Sequence, residues 1–389
     1  MFSDRTNWKL GRNRFTVALE EVLVGGAKIL DLTISNPTRA GLHFDEASIL
    51  KALASPRALD YDPQSKGLRE ARQAIAGYYR DQHAVNALDP EQIVLTTSTS
   101  EAYSFVFRLL CNAGDELLVP KPSYPLFEFL ADLQDVRLVP YPLIYDHGWQ
   151  MDFPSLQKAM TQRTRGVVVV HPNNPTGSYV QAGEVRMLNA FCREHELAVI
   201  ADEVFLDYGL SQSAHASFAG NCDVLTFTLS GLSKIAALPQ MKVAWVATSG
   251  PREIETEAIA RLDVIADTYL SMNAPIQWAV PVLLEQRQSI HLQLLERIKE
   301  NLAELDRQLA QQKSCARLSV EGGWYAVLRV PVTRSDEDLA IELVREKRVL
   351  VHPGHFYDFP RDGYLVLSLI APCEDFAEGI SRVLDKMNC

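Results

Sequence analysis

The stretch Val224–Lys242, VLTFTLSGLSKIAALPQMK, contains a short apolar run followed by a turn with one lysine. Its first residues are apolar or β-branched, which predicts a buried strand. Lys234 follows the Ser-Gly pair that ends this run, with Ser230 and Ser233 beside it. Burial disfavours the charged form of a lysine, and an uncharged lysine amine can form a Schiff base with an aldehyde. A single turn lysine is more often a solvated charge, so its interpretation depends on the other strand ends.

Length and composition restrict the class of protein. The chain has 389 residues, enough for roughly two or three domains, and its 47% hydrophobic content suits an ordinary soluble protein. A formal net charge of −11 opposes binding to phosphate backbones and anionic lipid, so we expect neither nucleic acid nor a membrane as a partner.

Cysteine usage and the N-terminus bear on the compartment. The six cysteines are scattered without a CxxC pair, which argues against a metal site or a disulfide framework and favours a reducing compartment. The first fifteen residues lack the apolar segment of a signal peptide. No apolar run approaches membrane-spanning length. The sequence therefore predicts a cytoplasmic protein.

Apolar runs alternate with helical patterns from Ile93 onward, which predicts an α/β domain with a mainly parallel seven-stranded sheet between helices. The seven runs are Ile93–Thr96, Glu116–Val119, Val136–Pro140, Gly166–Val170, Leu197–Ala201, Val224–Leu229 and Val243–Ala247. A long helical pattern over residues 283–312 precedes short strands and two helices, which predict a smaller α+β domain. We expect an N-terminal arm over 1–40 that joins the small domain, a large domain over 41–280, and the interdomain helix with the small domain over 281–389.

The segment TSTSEA follows the first predicted strand of this sheet. Ser98 can cap the next helix, and Glu101 would complete a capping box. The amides of Thr99 and Ser100 would then point outward from a positive helix end, which suits a phosphate. A plain capping box without a ligand explains the same residues.

Two further strand ends carry polar groups. Asn174, in HPNNPTG, can donate its amide to a ring oxygen or simply form a turn. Asp202 follows a buried strand, where a carboxylate is costly without a partner. It could cap the next segment or face a cationic ring nitrogen. Together with Lys234 and the anion site, these groups are those that pyridoxal phosphate requires. Neither GxGxxG nor GxxxxGK[ST] is present to support a nucleotide.

With these motifs, the chain resembles the fold-type I, class I/II pyridoxal-phosphate-dependent aminotransferases from about Leu32 to the C-terminus. The most specific shared pieces are Asn173-Asn174-Pro175-Thr176-Gly177, Asp202-Glu203-Val204, Ser233-Lys234 and Pro353-Gly354, in the order of the family. The resemblance implies an aspartate-aminotransferase-like fold, a large domain that binds pyridoxal 5′-phosphate, small-molecule amino and 2-oxo acid substrates, and a homodimer with sites at its interface.

The resemblance also implies residue roles. Lys234 would bind the cofactor covalently and move the substrate proton, Asp202 would keep the pyridine nitrogen protonated, and Asn174 would bind the ring hydroxyl. Tyr124 would stack on the ring. Thr99, Ser100 and Ser233 would hold the phosphate. The remaining implied cofactor-binding residues are Ser98, Ser230, Lys242 and, from the neighbouring subunit, Tyr61.

Several positions depart from the family pattern. Phe205 replaces a tyrosine that donates to the ring oxygen, and Lys242 replaces an arginine, which keeps the charge but loses the bidentate fork. Tyr208 is a candidate to supply the missing donor. Ser35 replaces a glycine in the segment before Asn36-Pro37, where the substrate binds in the family.

The largest departure is Val366, at the position of the arginine that binds the substrate carboxylate in the family. A valine cannot bind an anion, and a buried carboxylate without a partner is expensive. Either the substrate lacks this carboxylate, or another cation reaches it. Arg361 is the nearest candidate in sequence, and Arg14 and Arg39 are candidates from the arm. Each of the three is also explained as a solvated surface charge.

The leading hypothesis is therefore a dimeric aminotransferase that uses an amino acid and a 2-oxo acid. A lyase or decarboxylase on the same scaffold is the alternative, because it shares the lysine chemistry and the missing arginine weakens the case for an amino acid. A non-catalytic, cofactor-binding regulatory module ranks last, because the N-terminus is too short for an attached DNA-binding domain and the chain is acidic.

Overall fold

The computed structural model describes residues 1–125, 127–211, 215–270 and 272–387. Cys389, one of the six cysteines, lies outside these ranges. The strands are β1 (Leu30–Asp31), β2 (Ile93–Thr96), β3 (Glu116–Lys121), β4 (Arg137–Tyr145), β5 (Trp149–Met151), β6 (Thr164–Val170), β7 (Ala198–Asp202), β8 (Thr226–Gly231), β9 (Ala244–Ser249), β10 (Ala316–Arg317), β11 (Tyr325–Arg329), β12 (Val349–Leu350), β13 (His352–Pro353) and β14 (Tyr364–Ser368).

Helices alternate with these strands over most of the chain. The α-helices are α1 (Arg14–Val24), α2 (Glu46–Leu53), α3 (Arg69–His83), α4 (Thr99–Leu110), α5 (Phe127–Leu133), α6 (Phe153–Ala159), α7 (Ala182–Glu194), α8 (Leu232–Ile235), α9 (Arg252–Tyr269), α10 (Ala274–Leu309), α11 (Asp336–Glu342) and α12 (Cys373–Met387). Short 3₁₀ turns include Pro37–Arg39 and Gly354–Tyr357, and Leu343–Lys347 is a π-helical turn.

Over the described ranges, the large sheet has eight strands in the order β2-β9-β8-β7-β6-β3-β4-β5. Six of its strands run in one direction, and β9 and β5 run in the other, so the α/β prediction with a mainly parallel sheet is confirmed. The strand count differs from the predicted seven because of β5, which pairs with the end of β4. Three residues are too few for a period-of-two pattern to stand out in a sequence.

Helices cover both faces of this sheet. On one face Phe227 of β8 shares a buried apolar cluster with Val106 of α4 and Leu262 of α9. On the other face Val199 of β7 shares a cluster with Leu188 of α7. Because β8 is buried along its whole length, the segment that follows it is held in a fixed position.

A second, four-stranded sheet has the order β10-β11-β14-β13 and is antiparallel throughout. Beside it, β1 pairs with β12 in parallel, so the N-terminal arm contacts this part of the protein. Ser368, the last residue of β14, donates hydrogen bonds to the carbonyl oxygens of Leu32 and Ile34. The smaller α+β unit predicted from the sequence is thus present.

Helix α10 is longer than its predicted range of 283–312. It starts after the cap residue Asn273, whose side chain accepts a hydrogen bond from the amide of Ile276, and it passes through Pro281. An interior proline removes one helical hydrogen bond. Val280 and Leu283, on either side of it, are buried, so packing maintains the helix. No helix within the described ranges has the length and apolar character required to cross a membrane.

Candidate active site

The carboxyl ends of β2, β3, β6, β7 and β8 lie at one edge of the large sheet, because these strands run in the same direction. Ligands of open α/β sheets bind at such an edge. Five of the predicted groups lie at or just after these ends, namely Ser98, Tyr124, Asn174, Asp202 and Lys234. The structure thus brings together, at one edge, groups that are far apart in the chain.

Lys234 lies in the short helix α8 between two aromatic rings. Its Nζ is 4.8 Å from the ring centre of Trp324 and 5.5 Å from that of Phe205. Burial lowers the pKa of Lys234 to about 8, and the negative charge of Asp202 opposes this effect. The lysine is therefore much closer to neutrality than an exposed one. The sequence did not identify Trp324, because it comes from the chain just before β11.

The hydroxyl of Tyr208 donates a hydrogen bond of 2.7 Å to the main-chain oxygen of Lys234. It is therefore occupied in holding α8, and it does not provide the donor that Phe205 lacks. Phe205 itself is buried, with its ring 5.3 Å from that of Trp324. The tyrosine expected from the family is thus replaced by an apolar wall next to the lysine.

Asp202 is the last residue of β7. Burial raises the pKa of its carboxyl to about 6, and two hydrogen bonds and the charge of Lys234 oppose this effect. Tyr103 donates to Oδ2 at 3.0 Å, and the amide of Val204 donates to Oδ1 at 3.1 Å. The sequence analysis missed Tyr103. Its position on α4, four residues after Thr99, was the available signal, because residues four apart share a helix face.

Several side chains at this edge, among them Asn174 and Ser230, have buried polar atoms without a hydrogen-bond partner within the described residues. Asn174 is 8% exposed and Ser230 is 1% exposed, and neither Oδ1 of the first nor Oγ of the second has a hydrogen bond within the described residues. Most buried polar atoms in native proteins have a partner. In Asn173, Oδ1 accepts from the hydroxyl and the amide of Thr176 and so stabilises the turn, while Nδ2 is buried without a partner within the described residues. Both asparagines therefore have a polar atom available to a ligand, and in Asn174 that atom is the oxygen.

The N-terminus of α4 provides an anion site. Oγ of Ser98 accepts from the amide of Glu101 at 3.2 Å, as predicted for the cap. The carboxylate of Glu101 accepts from the amide of Thr97 rather than that of Ser98, so the capping box is shifted by one residue. Within the described residues, the amides of Thr99 and Ser100 have no acceptor. Amides at a helix N-terminus favour a phosphate.

Other predicted cofactor residues lie at the rim of this edge. Tyr124 is 45% exposed, and burial together with the charge of Asp202 raises its pKa. Ser233 is half-buried beside Lys234. Lys242 is exposed and lies two residues before β9, whose first residue is at the same edge.

Tyr61 lies elsewhere on this chain. Its side chain is 83% exposed and lines a surface cavity of about 470 Å³ with Leu270 and Trp278. No contact joins Tyr61 to the lysine of its own chain within the described residues.

The predicted substrate residues are dispersed. Val366 is buried in the middle of β14. Arg361 is within 3.3 Å of the hydroxyl of Tyr364 and lines a separate cavity of about 300 Å³ beside β10. Arg14 forms ion pairs of 2.6 Å with Asp338 and 3.4 Å with Glu337 on the surface. These two arginines are thus engaged away from Lys234.

Ser35 and Arg39 are exposed on the loop after β1. This loop contacts the end of β14 through the hydrogen bond between Ser368 and Ile34. Of the three arginines considered from the sequence, Arg14 is ion-paired and Arg361 contacts the hydroxyl of Tyr364, whereas the side chain of Arg39 has neither an ion pair nor a hydrogen bond within the described residues.

These residues fit pyridoxal phosphate. One edge of the sheet carries all the groups that this cofactor needs. They are the unpartnered atoms of Asn174 and Ser230, the free amides at the start of α4, the buried carboxyl of Asp202, and Lys234 with its lowered pKa. Across the described ranges, no group of histidine, cysteine, aspartate and glutamate side chains is arranged to hold a metal ion. This fold, with these groups at the carboxyl ends of its parallel strands, is that of a pyridoxal-phosphate enzyme of fold type I.

Comparisons with known proteins agree with this class. The family model "Aminotransferase class I and II" matches residues 27–371. The alanine aminotransferase of Mycobacterium tuberculosis is 29% identical over 368 residues, which cover 92% of this chain and 85% of that protein. The glutamate-pyruvate aminotransferase AlaA of Escherichia coli is 27% identical over 365 residues, with coverage of 92% and 90%.

Solved structures show the same fold. An alanine aminotransferase from Pyrococcus furiosus superposes with a TM-score of 0.90 over the whole of both chains, at 24% identity. An aminotransferase from Escherichia coli gives a TM-score of 0.87 at 25% identity, covering 100% of this chain and 98% of that one. The chain belongs to the class I and II aminotransferase family. It is an enzyme of amino-group transfer, and its dependence on pyridoxal phosphate follows from the family.

Proposed function

We propose that this enzyme transfers the amino group of a small amino acid, such as alanine or glutamate, to a 2-oxo acid such as pyruvate. The names of the relatives support this substrate class. The observation that carries the proposal is the pairing of Lys234 with Asp202, since the charge of the aspartate acts on the lysine and both have shifted pKa values. A poised lysine beside a buried carboxylate suits proton transfer near neutral pH.

In this proposal, Nζ of Lys234 takes the proton from the substrate carbon that carries the amino group. It would give this proton to the carbon of the cofactor that takes up the amino group. Its walls, Phe205 and Trp324, exclude water, and burial lowers the pKa of the amine to about 8, so that an uncharged fraction is available near neutral pH. Asp202 places a negative charge at the ring nitrogen, and Tyr103 holds that carboxylate in place. Pyridoxal phosphate, when bound, supplies the electron-withdrawing ring.

The remaining cofactor contacts are proposed as follows. Asn174 binds the ring hydroxyl and Tyr124 stacks on the ring. The phosphate is held at the start of α4 and by the residues after β8. The phosphate contacts are Ser98, Thr99, Ser100, Ser230, Ser233 and Lys242, with Tyr61 of a second subunit.

We propose a homodimer located in the cytoplasm, with the arm, large and small domains divided at residues 40 and 280. Exposed Tyr61 and Leu270, which line the 470 Å³ cavity, support a subunit contact there. The five cysteines of the described residues are all free, which suits a reducing compartment. Analytical ultracentrifugation measures the subunit number, and a monomer at micromolar concentration would contradict the dimer.

Borohydride reduction followed by peptide mapping tests the lysine assignment, with a reduced cofactor expected on Lys234. The transferred group is tested by adding alanine, glutamate and other amino acids to the cofactor-loaded enzyme and recording the absorbance change. Release of the matching 2-oxo acid indicates transamination. Release of carbon dioxide or an unsaturated product would instead indicate a decarboxylase or lyase.

A further inference from the structure

We propose that His352, held by Tyr357, donates a hydrogen bond to the substrate carboxylate. This inference rests on the proposed use of an amino acid. It assigns the carboxylate partner to a residue that sequence reasoning did not consider. Three observations support the role of His352. They are the register of the small sheet, the contacts of the imidazole, and the series of aromatic rings between Lys234 and Tyr357.

The register places His352 beside Val366. In the antiparallel pair of β13 and β14, His352 is directly opposite Val366, and Val327 is opposite Val366 on the other side. Opposed residues of an antiparallel pair project from the same face of a sheet. His352 is thus the polar neighbour of an apolar position in the centre of this face.

This face meets the candidate site. Tyr325 is opposite Ser368, two residues from Val366, and therefore projects from the same face. Its ring centre is 6.2 Å from that of Phe205 and 6.4 Å from that of Tyr357. Phe205 in turn contacts Lys234. A continuous set of rings therefore connects the lysine to the partner of His352.

The segment that carries Tyr357 is fixed to the large sheet. The amide of Ser123, next to Tyr124, donates to the main-chain oxygen of Tyr357 at 3.0 Å. Lys121, at the end of β3, forms an ion pair of 3.0 Å with Asp358. The turn Gly354–Tyr357 is thus held against the strand end from which the predicted ring-stacking tyrosine projects.

The imidazole has one nitrogen engaged and one available. Nδ1 of His352 is 3.1 Å from the hydroxyl of Tyr357. A hydroxyl that donates to Nδ1 leaves the ring proton on Nε2, and within the described residues the contact with Tyr357 is the one hydrogen bond of this side chain, so Nε2 is available. Burial lowers the pKa of His352, while the carboxylate of Asp31 opposes this effect. A neutral imidazole with a free N–H can donate to an anion without carrying a buried charge.

The arginines considered from the sequence suit this role less well. Arg14 is paired with two carboxylates, and Arg361 lies against Tyr364 at another cavity. Arg39 is exposed on the loop after β1. It is the alternative residue that could bind the substrate carboxylate, so the experiment also tests Arg39.

The experiment compares the variants His352→Leu, His352→Gln, Arg39→Ala and the control His147→Gln in the cofactor-loaded enzyme. His147 is fully exposed in the turn before β5. The concentration of amino acid that half-saturates the absorbance change should rise about tenfold or more in His352→Leu, as expected for a lost hydrogen bond to a charged group. His352→Gln, whose side chain can also donate a hydrogen bond, should show a smaller rise in this concentration than His352→Leu. Reaction with a simple amine that has no carboxylate should be unaffected by either substitution.

A second readout does not require turnover. The Nε2 resonance of His352 in protein labelled with ¹⁵N-histidine, assigned with His352→Gln, should shift on addition of propionate but not of propionamide. Two results overturn the inference while leaving amino-group transfer intact. One is a loss of amino-acid affinity in Arg39→Ala but not in His352→Leu, and the other is a wild type that uses only simple amines. A wild type that releases no 2-oxo acid from any amino acid would refute the proposed function itself.

Discussion

The hydroxyl of Tyr103 donates a hydrogen bond of 3.0 Å to Oδ2 of Asp202. Burial raises the pKa of Tyr103, so its hydroxyl keeps its proton and can only donate to the charged carboxylate. This contact connects the helix that starts at the anion site to the carboxylate that is proposed to face the ring nitrogen. The two ends of a bound cofactor would thus be positioned by the same helix.

The variant Tyr103→Phe should raise the pKa of Asp202 further, because a donor to its charged form is lost. A smaller fraction of the carboxylate is then ionised at neutral pH. The amino-acid half-reaction should slow about tenfold, since a hydrogen bond to a charged group contributes roughly 1.5–3 kcal/mol. Carboxyl ¹³C NMR titration of the cofactor-free protein measures the pKa. Tyr269→Phe, at an exposed tyrosine, is the control, and an unchanged Asp202 titration would contradict the assignment.

Lys234 should react with small aldehydes at a lower pH than other lysines. Its pKa of about 8 predicts that reductive methylation of the cofactor-free protein at Lys234 is half-maximal near that pH. Asp202→Asn should move the midpoint below 8, because the charge of Asp202 raises the pKa of Lys234. Mass spectrometry of the peptide gives both profiles. A midpoint equal to that of exposed Lys9 would show that burial does not act on this amine.

Phe205→Tyr should lower the pKa reported by the absorbance of the bound cofactor. The added hydroxyl can donate to the ionised ring oxygen, and hydrogen bonds to an ionised form favour it. Tyr208 does not already supply this donor, because its hydroxyl is bound to the main-chain oxygen of Lys234. Spectrophotometric pH titration compares the variant with wild type, and Phe129→Tyr at an exposed ring serves as the control. A shift in the opposite direction would place the new hydroxyl elsewhere.

Glu203 should make stability depend on pH. Burial raises the pKa of its carboxyl from 4.5 to about 7, against hydrogen bonds from the hydroxyl of Ser217 and the amide of Phe218. The folded state therefore holds this proton more tightly than the unfolded chain. The resulting stability is complete below about pH 4.5 and is lost as the pH rises through about 7.

In Glu203→Gln this loss should be absent, because the amide stays neutral. Its oxygen can accept from the amide of Phe218, and its NH₂ group can donate to the hydroxyl oxygen of Ser217. The free energy of unfolding in urea, measured from pH 5 to 8, should fall less with pH than in wild type, by about 1–3 kcal/mol over the range. Asp146→Asn, at an exposed carboxylate, should behave as wild type. Parallel pH profiles for wild type and Glu203→Gln would mean that the carboxyl stays ionised.

The sequence allowed prediction of those site residues that occur in local motifs. Lys234, Asp202 and Asn174 each follow an apolar run, and the direction of parallel strands is sufficient to bring them to one edge. Trp324 and His352 were not predicted. Trp324, which contacts Lys234, lies just before a strand of the small sheet, and His352 lies in that sheet. How such residues are placed relative to the large sheet depends on how the two sheets pack, which no local pattern encodes.

The same distinction applies to the fold. Long apolar runs such as β6 and β8 were predicted because several buried residues in succession give a strong signal. Strand β5, with three residues, exists through its pairing with β4. The predicted start of α10, at residue 283, is too late. Pro281 interrupts the helical sequence pattern, whereas packing of its buried neighbours keeps the helix continuous.

Helix α10 also has a consequence for unfolding. Its first part, with Ile276, Val280 and Leu284, belongs to the apolar cluster beside β2 and β9, and its later part, with Ile290 and Leu294, belongs to the cluster of the small sheet. If one cluster unfolded, the apolar residues that α10 contributes to it would become exposed, while the other cluster would still keep α10 folded. The two halves therefore cannot melt independently at low cost, and we expect one cooperative transition in calorimetry rather than two.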